Sequence, residues 1–600
     1  MSNIEEIAIN SGAAGHGSVA TKPAETKKME GPQPTARPEL DKALARLRAA
    51  APAFARSSVT ERIALARKFL DGYVKVADES VEAGCKVKGI DPSSPLAAEE
   101  WLAGPTVVIR NLRLLIESMQ KIMQGQPTID PSRIETLADG RVVAHVFPPS
   151  GYDKLLFGGF TADVFMQPGV KAEDVPARAG GHYKTPAAER QGKVVLVLGA
   201  GNVSSIPPTD VLYKMFVEGK VCMLKMNPVN QHVGPFIERA FKDGIDEGLL
   251  SVCYGGADVG AYLVEHPEID EVHITGSDKT HDMLVWGPPG PEREARKAKK
   301  EPLLKKEITS ELGNVSPVII VPGPYSDAEI AFQGDSICAA IANNASFNCN
   351  AAKLLVQPKG WDGREKLRRA LAASLGRVPV RRAYYPGAEQ RWKELVDSHP
   401  NVERIGADEP GTLKWAIIPD VDPAKTDEKV FHMEPWCSVV SETAIGSSDP
   451  VAFLEEAVRF CNERVWGTLS VTLVVHPASL KDARVQQAVD KAIRELRYGT
   501  VCVNHWPALG FAFGTTPWGG HPSSTLEDIQ SGRGWVHNTF MLNDADIEKV
   551  VIRGPLVAKP KPPWFAGHKT AHRLGRRLVR MEAAPHWTLL PGLIFTALRG

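Results

Sequence analysis

The sequence predicts an α/β protein with two doubly wound domains and a β-hairpin element, on three observations. From KVVLVLGAGN to EVHITGS, apolar strands alternate with helical segments, and a second series (SPVIIV, KLLVQP, SVTLVV and TVCVN) repeats the pattern. Continuous apolar strands separated by helices are typical of a parallel sheet covered on both faces. Two extended runs, RVVAHVF and ADVFMQ, flank a segment with Gly and Pro and predict the hairpin.

These patterns divide the 600 residues into segments of different character. The first residues are rich in Gly, Ala, Ser, Thr, Lys and Pro, which is typical of a disordered extension. We expect that extension over 1–37, a first α/β domain over 38–139 and 190–309, a second α/β domain over 310–532, a bridging element over 140–189 and 533–555, and a basic and apolar C-terminal tail over 556–600.

Charge and cysteine content exclude several classes of protein. Lys plus Arg equals Asp plus Glu at 71 each, so net charge gives no reason to expect a nucleic-acid partner. The eight cysteines are scattered with no CxxC pair, which predicts a reducing compartment and neither a disulfide scaffold nor a metal site. No apolar run reaches the roughly 18 residues that span a bilayer. We therefore expect a cytoplasmic protein.

Polar and small residues stand at the ends of the strands in the first series. Gly201 and Asn202 follow the first strand, Lys225 ends the next, and Gly276 and Ser277 end the fourth. Ligands bind at the carboxyl ends of parallel strands, and the amides of a helix that begins there can hold a pyrophosphate. Each position alone is weak evidence, because a glycine at a strand end is more often simply a tight turn.

The order of the motifs is more specific than any one of them. GAGN is followed by LK, ITGS, ELG with Glu311, an asparagine-rich loop with Cys349, EPW with Glu434, and TPWGG. This series resembles the aldehyde dehydrogenase superfamily over roughly residues 40–550. The resemblance implies a Rossmann-like cofactor domain, a catalytic domain, and NAD or NADP as the cofactor.

The resemblance also implies the chemistry. Cys349 would attack an aldehyde carbonyl as thiolate, and the side-chain amide of Asn202 would stabilise the oxyanion. Glu311 would activate the water that hydrolyses the resulting thioester. We further expect NAAKLL, directly after Cys349, to begin a helix whose N-terminus favours the thiolate.

The same resemblance assigns the cofactor-binding residues. Lys225 would bind the adenosine ribose, Glu434 the nicotinamide ribose, and Trp436 would lie beside the nicotinamide. Gly276 and Ser277 would hold the pyrophosphate.

Four positions depart from the family pattern. Ser346 and Phe347 stand three and two residues before the cysteine, where glycine and glutamine are usual. His281 replaces the second glycine of the usual GSxxxG turn, and Pro228 stands where NAD-preferring members often have glutamate. Without that carboxylate a 2′-phosphate is repelled less, so the choice between NAD and NADP stays open.

Two alternatives remain beside oxidation of an aldehyde to a carboxylate. A CoA-dependent acyl reductase on the same fold would make aldehyde from acyl-CoA, and it commonly needs no glutamate base, so Glu311 favours hydrolysis. A catalytically inactive binding protein is the other, and the joint presence of Asn202, Glu311 and Cys349 argues against it.

The remaining partners are a small-molecule aldehyde and further copies of the chain. We expect the hairpin near 140–166 and the segment near 535–555 to extend a sheet across a subunit interface. The tail carries eight Lys or Arg against the single acid Glu582 and ends in WTLLPGLIFTALRG. It suits either peripheral contact with a membrane, which would favour a long-chain or lipid-derived aldehyde, or packing across a neighbouring subunit or over the substrate entrance.

Overall fold

The computed structural model describes residues 31–600, so most of the predicted extension over 1–37 lies outside the described residues. In chain order the strands are β1 (Ile134–Thr136), β2 (Val142–Phe147), β3 (Thr161–Met166), β4 (Val194–Leu198), β5 (Val221–Lys225), β6 (Leu250–Cys253), β7 (Glu271–Gly276), β8 (Glu307–Leu312), β9 (Ser316–Ile320), β10 (Ala352–Pro358), β11 (Arg381–Arg382), β12 (Glu403–Ile405), β13 (Thr412–Leu413), β14 (Trp415–Val421), β15 (Val439–Ile445), β16 (Ser470–Val474), β17 (Thr500–Val503), β18 (Pro517–Trp518), β19 (Gly532–Arg533), β20 (Val536–His537) and β21 (Ile547–Arg553).

The α-helices are α1 (Arg37–Arg56), α2 (Val59–Lys88), α3 (Ala98–Leu102), α4 (Pro105–Met123), α5 (Gly151–Leu156), α6 (Asp174–Arg178), α7 (Gly181–Lys184), α8 (Ile206–Leu212), α9 (Gly234–Ala240), α10 (Lys242–Asp246), α11 (Ala257–Glu265), α12 (Asp278–Trp286), α13 (Pro291–Lys299), α14 (Asp327–Ala342), α15 (Gly363–Leu375), α16 (Ala388–Asp397), α17 (Lys429–His432), α18 (Pro450–Arg464), α19 (Ala483–Glu495), α20 (Ala508–Ala512), α21 (Ala571–Ala583) and α22 (Leu590–Leu598).

The first sheet has six strands in the order β19-β8-β7-β4-β5-β6. All neighbours from β8 to β6 are parallel, and β19 is antiparallel to β8. Every residue of β5 is buried, as continuous apolar strands covered by helices on both faces should be. Helices α1, α2 and α4 pack on this sheet in one apolar core.

The second sheet has eleven strands in the order β1-β2-β3-β21-β17-β16-β9-β10-β15-β14-β12. Its central strands from β21 to β14 are parallel, and the hairpin strands are antiparallel. The predicted α/β class with two parallel sheets and a hairpin is therefore confirmed. The residue boundaries proposed for the domains stay a prediction.

The hairpin strands join the second sheet within one chain. Strand β21 pairs along one side with β3 and along the other with β17 of the same chain, for example Val501 with Val551. Within the described residues, the outer strands of this sheet are the three-residue strands β1 and β12. The expected extension of a sheet across a subunit interface through 140–166 and 535–555 stays a prediction.

The C-terminal tail packs on the chain's own helices α3 and α4. Its one acid, Glu582, is buried and forms ion pairs with Arg110 at 2.7 Å and Arg113 at 2.6 Å. Arg110 also pairs with Asp153 of α5 at 2.7 Å. The tail thus packs within the chain through this carboxylate, and its packing across a neighbouring subunit or over the substrate entrance stays a prediction. Among residues 31–600, no helix combines the length and the hydropathy required to cross a bilayer.

Candidate active site

Cys349 lies in the loop between α14 and β10, at the amino end of a central strand. The expected helix after it is wrong: residues 352–358 form β10, which is buried throughout and pairs with β9 and β15. Pairing on both sides outweighs the helix propensity of two alanines and a lysine. Without a helix N-terminus, burial and the carboxylates of Glu311 and Glu434 raise the pKa of the Cys349 thiol well above its ordinary value.

The loop before Cys349 has an uncommon backbone. Asn344, Ala345 and Ser346 have φ values of 52°, 55° and 72°, the left-handed region that costs about 1–2 kcal/mol per residue without glycine. Buried Lys353 donates to Ser346 Oγ at 2.6 Å, to the Ser346 carbonyl at 3.1 Å, and to the Cys437 carbonyl at 2.7 Å. Hydrogen bonds to a charged group contribute about 1.5–3 kcal/mol each, enough to hold serine where the family usually has glycine.

Glu311 lies near the carboxyl end of β8 and is 2% exposed. Burial and the nearby Asp210 raise the pKa of Glu311 to about 7, although the Cys349 thiol and the Trp518 indole lower it somewhat. A carboxyl with this pKa is ionised in part near neutral pH and takes up or releases a proton readily. Glu311 and Cys349 shift each other's pKa, so the two groups lie close together, and neither Glu311 oxygen has a hydrogen-bond partner among the described residues.

Asn202 follows β4 and reaches across to the cysteine loop. Its side-chain amide donates to the carbonyl of Phe347 at 2.9 Å. Asn344 Nδ2 donates to the same carbonyl at 3.2 Å. An amide nitrogen carries two protons, so one N–H of Asn202 remains for a further acceptor beside Cys349. The structure thus brings Asn202, Glu311 and Cys349 to one place, where the carboxyl ends of the first sheet meet the amino ends of the second.

Three of the predicted cofactor-binding residues lie along the first sheet. Burial lowers the pKa of Lys225, whose ammonium has one long hydrogen bond, 3.4 Å to the Met226 carbonyl. Gly276 ends β7, and Ser277 caps α12 by accepting from the Thr280 amide. His281, at the position where glycine is usual, is fully buried on α12.

Glu434 and Trp436 approach from the second sheet. Burial raises the pKa of Glu434, and its buried Oε1 has no hydrogen-bond partner among the described residues. The glycine at position 313 leaves room for this carboxylate, because a Cβ there would lie 2.1 Å from Glu434 Oε2. Trp436 packs edge-on against Tyr385, with ring centroids 5.3 Å apart.

Several residues of the site carry no sequence signal that singles them out. Tyr384 and Tyr385 pack on Phe347 with centroids 4.9 and 5.6 Å away, and Tyr384 donates to Asn344 Oδ1 at 2.8 Å. These tyrosines come from a segment without a family motif. An apolar wall lies beside Cys349. It is formed by Tyr213, Val217, Leu469, Phe511, Trp518 and Val536.

A comparison of the sequence with protein families finds a match over the segment that carries the central residues of this site. The model of the aldehyde dehydrogenase family matches residues 193–383, a stretch that contains Asn202, Glu311 and Cys349. This match supports the aldehyde dehydrogenase superfamily for the chain. The matched stretch ends before Glu434 and Trp436, whose assignment rests on the EPW motif and on their position.

Curated relatives of the chain are distant and match in part. It is 29% identical over 165 residues to 4-trimethylaminobutyraldehyde dehydrogenase A of Danio rerio, covering 26% of this chain and 28% of that protein. It is 25% identical over 337 residues to aldehyde dehydrogenase family 2 member B4 of Arabidopsis thaliana, covering 54% of each chain. The matched region thus spans about half of these relatives or less.

Solved structures show the same fold over most of the chain. The NADP complex of an NADP-dependent glyceraldehyde-3-phosphate dehydrogenase from Bacillus halodurans has a TM-score of 0.57 at 17% identity, covering 86% of this chain and 91% of that one. The substrate-bound state of AldH from Staphylococcus aureus has a TM-score of 0.57 at 15% identity, covering 87% of this chain and 95% of that one. At such identities the likeness establishes the fold alone.

Proposed function

We propose that the protein oxidises an aldehyde to a carboxylate with NAD or NADP as the hydride acceptor. The observation that carries this proposal is the meeting of Cys349, Glu311 and the Asn202 amide in one buried place. A nucleophile, a base with a pKa of about 7 and a hydrogen-bond donor are the groups that acyl chemistry through a thioester needs.

The first step is addition of Cys349 to the aldehyde. Cys349 adds as thiolate, after its proton has passed to solvent. The Cys349 Sγ–C bond forms as the carbonyl π-bond breaks, and the resulting oxyanion accepts hydrogen bonds from the free N–H of Asn202 and from the Cys349 backbone N–H. Donors preorganised for a developing charge supply a large part of such catalysis.

The oxyanion then re-forms the carbonyl with loss of the former aldehyde hydrogen as hydride, which leaves a thioester on Cys349. The second step is hydrolysis of this thioester. Ionised Glu311 takes a proton from water as the oxygen attacks the thioester carbon, and the C–S bond then breaks to release the carboxylate and restore the thiol. Because Glu311 is buried, few water molecules reach the thioester bond beside it.

The unpaired polar groups fit a nicotinamide dinucleotide. The Lys225 ammonium and Glu434 Oε1 are buried with few or no partners, which is costly unless a ligand satisfies them. Two ribose hydroxyl pairs would do so, with Gly276 and Ser277 at the start of α12 holding phosphate and Trp436 flanking the ring. When bound, the dinucleotide supplies the hydride acceptor.

The wall beside Cys349 indicates the class of substrate. Its members are aromatic or aliphatic, and their polar atoms are the Tyr213 hydroxyl, which donates to Asp544 at 2.7 Å, and the Trp518 indole N–H. We therefore propose an apolar, long-chain or aromatic aldehyde.

The proposed activity is tested by cofactor reduction with aldehydes of increasing chain length, each with NAD and NADP and without CoA. We expect reduction that depends on the aldehyde, with kcat/KM rising as the chain lengthens. Reduction that requires CoA would instead support the acyl reductase. Dinucleotide binding without any turnover would support the inactive binding protein.

We propose that the outer face of the tail rests on an anionic membrane surface. In α22 the residues Ile594, Phe595 and Leu598 share the solvent-facing side, and Phe595 and Leu598 are 61% and 67% exposed. Trp587, 56% exposed, lies just before this helix. The tail's only acidic side chain faces inward, so the side-chain charges that the tail places around this patch are basic. Arg577 lies against Gly592, and Arg599 lies over the Phe595 ring. Apolar side chains bordered by cations suit anionic headgroups.

The membrane proposal is tested by co-sedimentation with vesicles of phosphatidylserine and phosphatidylcholine. We expect the variant Phe595→Ser/Leu598→Ser to lose most binding at low salt, while Leu303→Ser, at a 51% exposed leucine elsewhere, keeps it. Point variants are used because truncation of the tail would leave Arg110 and Arg113 without Glu582. Equal binding by both variants, or no binding by the unaltered protein, would contradict the proposal.

We also propose a homo-oligomer, which rests on the family resemblance and uses a surface other than the edge of β21. Sedimentation at micromolar concentration is expected to give a mass above that of the 65.1 kDa chain. A monomer under these conditions would contradict it.

A further inference from the structure

The carbonyl oxygen of Asn202 is the meeting point of three segments that are far apart in sequence. It accepts hydrogen bonds from Lys88 Nζ at 3.2 Å and from Asn344 Nδ2 at 3.0 Å. The Tyr384 hydroxyl, which donates to Asn344, lies 3.4 Å from the same oxygen. A helix end, the cysteine loop and the tyrosine segment thus hold one peptide group.

Lys88 is itself held at the end of α2. Its ammonium pairs with Glu100 of α3 at 2.6 Å, and both side chains are almost completely buried. Gly84 makes room for that carboxylate, since a Cβ there would lie 2.4 Å from Glu100 Oε2. The Tyr384 ring lies 5.5 Å from the ammonium.

A buried ion pair is weak evidence for stability, because removing two charges from water costs about as much as their attraction returns. This pair has a geometric consequence instead. It places the Lys88 ammonium against the backbone carbonyl of Asn202, whose side chain donates to the cysteine loop at Phe347.

We propose that Lys88, fixed by Glu100, is a positioning residue that aims the amide of Asn202 at the reacting carbonyl. The inference rests on the proposed function. With its carbonyl anchored by Lys88 and Asn344, the Asn202 peptide cannot rotate, so its side chain keeps one N–H on Phe347 and presents the other to the oxyanion. A displacement of about 1 Å in such a group costs on the order of a hundredfold in rate.

The kinetic test uses the double variant Lys88→Met/Glu100→Gln, which leaves no unpaired buried charge. Its matched control is Arg381→Met/Glu99→Gln, an adjacent buried pair at 3.0 Å that contacts neither Asn202 nor Asn344. We expect the burst of reduced cofactor to slow about tenfold or more in the first variant alone, with dinucleotide Kd unchanged within about twofold.

Coupling to Asn202 separates positioning from general damage. In an Asn202→Ala background the Lys88 and Glu100 changes should add almost nothing, because groups that act through one another are not additive. An equal loss in that background, or an undiminished burst in the parent background, would overturn the proposal.

Amide hydrogen exchange gives a readout that needs no turnover. Exchange in residues 200–203 and 343–350 should be about tenfold faster in Lys88→Met/Glu100→Gln, while that in β4 and in the control variant is unchanged. Unaltered exchange in 200–203 would overturn the anchoring role. Absence of turnover in the unaltered protein would instead count against the proposed function, and exchange would still decide the role of Lys88.

Discussion

Replacement of Cys349 by alanine is expected to reduce turnover about a thousandfold or more, because no other group can form the thioester. Dinucleotide affinity should stay nearly unchanged, since the thiol acts only in the covalent step. Steady-state rates and a binding titration of the same preparation measure the two effects.

Cys338→Ala is the matched control for this loss. Cys338 is a buried cysteine on α14, and it belongs to an apolar core cluster that does not include Cys349. We expect it to keep most of its activity. More than about a tenth of the original rate in Cys349→Ala would identify another nucleophile, since covalent catalysts lose far more.

Replacement of Glu311 by glutamine is expected to slow steady-state turnover about 10²- to 10⁴-fold, the usual contribution of a general base. A burst of reduced cofactor should survive, because hydride leaves before the thioester is hydrolysed. Stopped-flow absorbance separates the burst from the steady state. Glu548→Gln, a change at a buried glutamate that contacts Arg141 and Lys549, is the control and should keep both phases.

Loss of the burst in Glu311→Gln would show that the carboxylate also removes the thiol proton. This outcome would have a chemical reason, because the Cys349 thiol has a raised pKa and the Glu311 carboxylate is a base close to it. In that case the hydrolytic role alone would be an incomplete assignment.

The pH profile provides an independent check on Glu311. Its pKa is raised to about 7, and only the ionised form accepts a proton from water. The rate limited by hydrolysis should therefore increase as the pH is raised through about 7. It should be low at acid pH, where Glu311 is protonated. Glu311→Gln should lose this limb, whereas a limb that persists in the variant would belong to another group.

The sequence alone was enough for the fold class, and it singled out the candidate groups of the site. Strands that are apolar throughout can only be buried between helices, so β4, β5, β9 and β16 were predictable from composition. The order of short motifs singled out Cys349 from seven other cysteines, which are all buried in the described structure. That choice needed no coordinates because the motif fixes the residue's place between two strands.

Only the tertiary structure decided the environment of those groups. The segment after Cys349 has alanines that favour a helix locally, yet pairing with β9 and β15 makes it a strand and removes the expected support for a thiolate. Likewise β21 finds its partner β17 within the chain, and Glu582 is drawn inward by Arg110 and Arg113. Lys88 meets Asn202 across 114 residues of sequence. Such long-range pairings depend on which surfaces are brought into contact and desolvated together, and local residue pattern carries no information about that.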